Sequence, residues 1–209
     1  TRARIYGARE DWPEVISNAT RAIELDQRDS EAYAWRFTAR FQTNELDLAL
    51  ADINRAISLS DNESSYFSYR AHLFHHLDKR REMLADLRTA VALDPTDIKA
   101  WSSFTQTLYA DGHWDECIIA LNELAEIQGK DSRFYFARAC AWQQKGVPRM
   151  AVADLTEALQ VKPGDAQLLI MRASSNYDAG EIEQSIADLD TAERAAPLSL
   201  GQVQSLPVP

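Results

Sequence analysis

The side chains best suited to chemistry in this sequence are three histidines, His72, His75 and His76, crowded into five residues. His72 and His76 stand four apart, which on a helix puts both on one face. Imidazoles placed in this way could take a divalent metal ion or make a pH-sensitive contact. No third ligand is close in sequence, so the trio reads as a polar wall rather than a metal centre, and no cofactor is expected. Cys117 and Cys140 are too few for a disulfide framework and lack metal-site spacing, so they read as two reduced thiols. A Gly-rich phosphate loop, a His-Glu-x-x-His pair and a Gly-x-Ser-x-Gly turn are all missing from the sequence. Carboxylates such as Glu181, Glu183, Asp188 and Asp190 fall on helix faces, where solvated charge is the ordinary condition. These residues point to binding rather than catalysis, and an enzyme is not expected.

A second group has a spacing of its own. Arg36, Arg70, Arg138 and Arg172 are each followed sixteen residues later by Asp52, Asp86, Asp154 and Asp188. At the one place in this series where arginine gives way to Phe104, the aspartate gives way to Ala120. Joint retention and joint loss predict four Arg–Asp bridges, each tying together two antiparallel helices, with a structural rather than a catalytic use. If partly exposed, each would contribute about 0.5 to 1 kcal/mol.

The elements that must hold these residues follow from a repeat. Written in rows of 34 that begin at Ser30, Ser64, Ile98, Ser132 and Ala166, the sequence brings like residues into columns. One column reads Ala22, Ala56, Ala90, Leu124, Ala158 and Ala192; another reads Val15, Ala49, Met83, Cys117, Ala151 and Ser185. Small residues there let two helices approach closely. Within a row the apolar steps are of three and four, as in Leu46, Ala49, Leu50, Ile53, Ala56 and Ile57. Each row breaks twice. One break falls at Asn44, Asp78, Asp111-Gly112, Lys145-Gly146 and Ala179-Gly180, where glycine suits the left-handed residue that ends a helix. Pro13 and Pro148 then open helices at positions where a missing N–H costs nothing. The other break falls at Leu93-Asp94-Pro95, Val161-Lys162-Pro163 and Ala196-Pro197. Two helices per row result.

This pattern resembles the tetratricopeptide repeat, carried in one row by Trp101, Leu108, Gly112, Trp114, Cys117 and Leu121 after Leu93-Asp94-Pro95. The resemblance implies an all-α fold, a right-handed α-solenoid of stacked antiparallel helix pairs. It divides residues 1–197 into one domain with a partial unit 1–29 and units 30–63, 64–97, 98–131, 132–165 and 166–199, followed by an extended tail, 198–209. The fourth unit carries Leu124 in the alanine column and ends in Gln128-Gly129, which predicts a bulkier joint to the fifth. Two sets of places are expected to face the next unit: Ile23, Ile57, Val91, Ala125 and Leu159, and Leu25, Leu59, Leu93, Ile127 and Val161. In the sixth unit these become Glu193 and Ala195, the polar end that a repeat array needs. Thr1 enters part-way through a unit, which suggests a fragment or processed chain.

In this family the first helix of each pair lines the concave side and ligands dock there. The groove places are then Trp35, Thr38 and Phe41 in the second unit, Tyr69, His72 and His76 in the third, and Lys99, Gln106 and Tyr109 in the fourth. The fifth supplies Arg133, Phe136 and Cys140, and the sixth Tyr177. Aromatics among amides and hydroxyls suit a protein or peptide ligand. The lysine, asparagine and arginine clamp that family members use for acidic chaperone tails is not matched by these residues, so that ligand is not expected.

Bulk properties agree. An apolar share of 45% can supply a continuous core, and 32 acidic against 22 basic residues give a net charge of −10, which argues against a phosphate backbone as partner. The sequence predicts neither membrane insertion nor a signal peptide, and a cytoplasmic setting is favoured. The expected activity is that of a protein-binding scaffold, with self-association through the open first unit or the tail as the alternative.

Overall fold

A computed structural model describes residues 11–129 and 131–195, and among these residues it contains eleven α-helices. They are α1 (Trp12–Leu25), α2 (Ser30–Gln42), α3 (Leu46–Leu59), α4 (Ser64–His76), α5 (Arg80–Leu93), α6 (Ile98–Ala110), α7 (Trp114–Gln128), α8 (Ser132–Gln144), α9 (Pro148–Val161), α10 (Ala166–Asp178) and α11 (Ile182–Ala195). The fold is all-α, in consecutive antiparallel pairs. First helices start at Ser30, Ser64, Ile98, Ser132 and Ala166, and second helices at Trp12, Leu46, Arg80, Trp114, Pro148 and Ile182, both series stepping by the same interval as the sequence columns. None of the described helices is long and apolar enough to cross a membrane. Of the segments expected to carry self-association, residues 1–10 of the open first unit and the tail 198–209 lie outside the described residues, as does the Ala196-Pro197 break.

Local chemistry fixes the helix ends. Asp29 accepts a hydrogen bond from the Ala32 N–H, and Asp131 and Asp165 accept from the second and third N–H groups of α8 and α10, so otherwise unpaired donors are satisfied. At the far end of the first helices the chain turns through Asn44, Asp78, Gly112, Gly146 and Gly180, all with positive φ. Each is followed by an N–H that reaches back five residues to a helix carbonyl, as Glu45 does to Arg40 at 2.8 Å and Val147 to Trp142 at 3.0 Å. Asn44 and Asp78 carry a side chain in a conformation that favours glycine, at φ 63° and 54°. Asn44→Gly and Asp78→Gly are therefore expected to raise stability by about 0.5 kcal/mol each, whereas Gly146→Ala should lower it by about 1 kcal/mol although a Cβ there meets nothing within 4 Å. Urea midpoints of the three variants test this.

The chain forms two compact units that divide between Phe104 and Thr105, within α6. In the first, Ala34, Phe37, Ala49, Ile53, Ala56, Tyr66 and Leu73 form the core of α2, α3 and α4, while Val15 of α1 packs with Ala39. In the second, Ala139, Ala151, Leu155, Ala158, Leu159, Leu168, Leu169 and Ala192 form the core of α8 to α11. The column alanines Ala56, Ala90, Ala158 and Ala192 have no exposed surface. One expectation is corrected here. Ile23, Val91, Ala125 and Leu159 are buried and Leu25, Leu93, Ile127 and Val161 exposed, Leu25 to 81%, while Ile57 and Leu59 are both half-buried. Residues two apart on a helix point about 200° away from each other, so the two sets cannot share a face.

Arginines cross-link the helices. Arg36, Arg70, Arg138 and Arg172 each donate through Nη2 to Asp52, Asp86, Asp154 and Asp188 at 2.6 to 2.8 Å, with Nε completing a two-pronged contact. The aspartates are buried, 3 to 6% exposed, so these are not the loosely hydrated surface pairs that weak estimates describe. The remaining prong of each guanidinium, Nη1, reaches the second helix of the preceding pair, at Thr20, Asn54, Asn122 and Thr156. Each arginine thus holds three helices, one more than its spacing to aspartate suggests. Phe104 stands where this arginine is missing, and Arg88, in the Thr/Asn column, places its guanidinium 5.9 Å from the centre of the Phe104 ring. A cation–π contact there replaces the hydrogen bond.

The joint after the fourth pair has a helix end of its own. α7 runs one residue longer than the other second helices and stops at Gly129, φ 86°. A cleft of about 250 Å³ lies between α7 and α8, lined by Leu121, Ala125, Phe134, Tyr135 and Arg138, while Leu124, the bulky residue of the alanine column, is buried. Without the Asp-Pro stop the chain leaves α7 one residue late.

Candidate protein-interaction surface

In the first unit, α2 and α4 bring a set of rings together. Phe37 is buried and stacks on Tyr69, with ring centres 6.0 Å apart and planes 20° from parallel. The hydroxyphenyl group stays 44% exposed. On its other side Phe37 meets Phe41, also at 6.0 Å, and Phe41 contacts His72 at 5.0 Å and His76 at 4.9 Å. Burial, followed by repulsion from His76 and His75, pushes His72 below the ordinary histidine range, so its ring is neutral at physiological pH. Tyr69, His72 and His76 are exposed and Phe41 is half-buried, giving a ring-lined patch.

Other predicted places lie apart from it. Trp35 packs beside Val15, Ile16 and Trp12 on the α1 side, with its indole N–H on Glu31 at 3.2 Å, so much of its ring serves the core. Thr38 is half-buried and returns its hydroxyl to the Ala34 carbonyl. Lys99 is exposed in the first turn of α6, where its backbone N–H caps on Asp97.

In the second unit Gln106 is exposed and Tyr109 is half-buried, its ring edge-on to Trp114 at 5.0 Å. Burial and the nearby Cys140 and Cys117 thiols raise the Tyr109 hydroxyl above its usual range. Burial also raises Cys140, and pushes Cys117 up to about 11. Both thiols are therefore protonated at neutral pH and poor nucleophiles. Arg133 is folded onto Asp131 at 2.7 Å at the start of α8, and Phe136 is half-buried against the core. Tyr177 is 42% exposed on α10, and Gln143 of α8 donates to Ser175 of α10 at 2.7 Å. Among the described residues no three His, Cys, Asp or Glu side chains converge where they could hold a metal ion.

The residue that organises the first patch, Phe37, was not among the predicted places. Its column otherwise reads Ala71, Thr105, Ala139 and Ala173, and a phenyl ring in a column of small residues is a visible departure. The larger ring gives Tyr69 a surface to stack on.

No family model matches the sequence, and no curated protein matches it. Solved structures share its fold. YrrB, described as a TPR protein with an unusual peptide-binding site, matches with a TM-score of 0.71 at 17% identity, over 90% of this chain and 98% of its own. The C-terminal part of a TPR repeat-containing protein from Cytophaga hutchinsonii matches with 0.71 at 15% identity, over 93% and 78%. A chain from the structure of Naa15/Naa10 bound to HypK-THB gives 0.81 at 11% identity, over 94% of this chain and 31% of that one. Identities this low speak to architecture alone, and together with the helix pairs and their fixed interval they establish that this chain has the tetratricopeptide-repeat fold.

Proposed function

We propose that the chain is a non-catalytic scaffold that holds a partner protein or peptide against its first helices. The observation that carries this reading is the exposed ring patch of α2 and α4, in which Tyr69 stands on buried Phe37 beside Phe41, His72 and His76. A ring held from below loses little entropy when a ligand covers it, and the imidazoles beside it supply hydrogen bonds to a peptide. The fold shared with YrrB, whose description names a peptide-binding site, supports the same reading at the level of architecture. In the second unit Tyr109, Cys140, Phe136 and Tyr177 are the corresponding contacts, with Gln106 and Arg133 at their margin. Panning a displayed random-peptide library on the chain should enrich ligands whose affinity drops about tenfold or more in Tyr69→Ala, with helix content unchanged by circular dichroism. Full affinity in both Tyr69→Ala and Tyr177→Ala would remove the surface from consideration.

Self-association is a second reading, favoured by Ile182 and Ile186 of α11, which are 47% and 54% exposed. Light scattering separates the two, since a scaffold for other partners keeps a monomer mass across concentrations.

A further inference from the structure

Spacing alone leaves the histidines of α4 as a groove wall, but the side-chain arrangement says more. His72 and His76 are both exposed, and their ring centres lie 5.0 Å apart with planes nearly perpendicular. Two imidazoles that share one ion through bonds of about 2.0 to 2.1 Å hold their ring centres roughly 4.5 to 5.2 Å apart, so the pair already stands at chelating separation. No hydrogen bond ties up the ring nitrogens of either residue among the described residues, and Phe41 meets both rings, limiting their rotation. His75 is one residue from His76, its ring centre 6.0 Å away, and a helix turns adjacent residues about 100° apart.

We propose that His72 and His76 form a two-imidazole site for a borderline divalent transition-metal ion, copper(II) or zinc(II), with His75 outside the coordination sphere. Imidazole suits these ions, and copper(II) binds such donors more tightly than zinc(II). Two protein ligands leave the other coordination positions open to water, on the same face as Tyr69. The ion would brace α4 where its last turn meets Phe41 of α2, and it would give a ligand lying on the patch one more group to bind.

The test titrates the untagged chain with copper(II) and with zinc(II) by calorimetry, alongside His72→Ala, His76→Ala and His75→Ala. All three positions are exposed, so the variants keep the wild-type circular dichroism spectrum. The expected result is saturable uptake of one ion, tighter for copper(II), weakened at least about tenfold in His72→Ala and in His76→Ala and unchanged within about threefold in His75→Ala, since losing one of two ligands removes the chelate. Zinc(II) should also raise the melting temperature of the wild type and of His75→Ala but not of the other two. Wild-type affinity in His72→Ala and His76→Ala, absence of saturable uptake, or an equal loss in His75→Ala would each overturn the assignment.

Discussion

Arg70→Met should lower the stability of the chain by about 3 to 5 kcal/mol, while Arg70→Met combined with Asp86→Leu should cost far less than the sum of the two single changes. The reasoning starts from burial. Both carboxylate oxygens of Asp86 accept from Arg70, at 2.7 and 2.8 Å, and the Asp86 side chain is only 7% exposed. Removing the guanidinium leaves a charge in a place that water barely reaches, which costs more than the bridge contributed. It also frees Asn54 from its 2.7 Å contact and strips the cation from between Phe67 and Phe74, whose ring centres lie 5.7 and 5.8 Å from it. Replacing both partners by apolar groups removes the stranded charge together with the bridge. The four arginines should also differ in a fixed order. Asp52 keeps Arg40 at 2.7 Å when Arg36 is lost, and Asp188 keeps the Asn176 amide at 3.1 Å when Arg172 is lost, so those two substitutions should cost less than Arg70→Met. Urea denaturation of the singles and the double yields the coupling directly. A coupling below about 1 kcal/mol would mean that these buried pairs behave like surface pairs. The chain already carries its own version of the double change at Phe104 and Ala120.

How much of this was legible in the sequence depends on how local the determinant is. Helix borders were, because Gly112, Gly146 and Gly180 announce a positive φ within a residue or two of where each helix ends. The Arg–Asp partners were visible because one spacing recurs and fails in step at Phe104 and Ala120. The third partner of each arginine was hidden, since Thr20, Asn54, Asn122 and Thr156 alternate between hydroxyl and amide and show no single residue type to follow. In the candidate site the first-helix places could be named from the resemblance, but not which of them share a patch. Trp35 and Phe41 occupy the same helix, yet Trp35 turns to α1 and Phe41 to the histidines of α4. Six residues on a helix leave two side chains about 120° apart, so the two meet different neighbours, and which neighbours those are is set by packing across helices rather than along the chain.

The second large effect is expected from Leu155→Ala, at about 3 to 4 kcal/mol. Leu155 has no exposed surface, and the core around it is made of Ala139, Ala151, Ala158 and Ala192 together with Leu159, Leu168 and Leu169. Alanine methyl groups on facing helices are short and cannot swing into the space a leucine vacates, so the cavity stays open and the cost lies toward the upper part of the range for such changes. Leu25→Ala makes the same chemical change at a position 81% exposed and should cost less than about 0.5 kcal/mol, so the comparison isolates burial from composition. Native-state hydrogen exchange should show where the loss is felt. Amides of α9 and of its neighbours α8 and α10 should lose protection together, because a repeat depends on the pairs it touches and transmits a defect through those contacts. α8 and α10 also carry the proposed contacts Phe136, Cys140 and Tyr177, so on that proposal binding in the second unit should weaken with the core although Leu155 lies within it. An unchanged exchange pattern in α8 and α10, with protection lost in α9 alone, would show that the second helix of a pair does not hold the first helices in place.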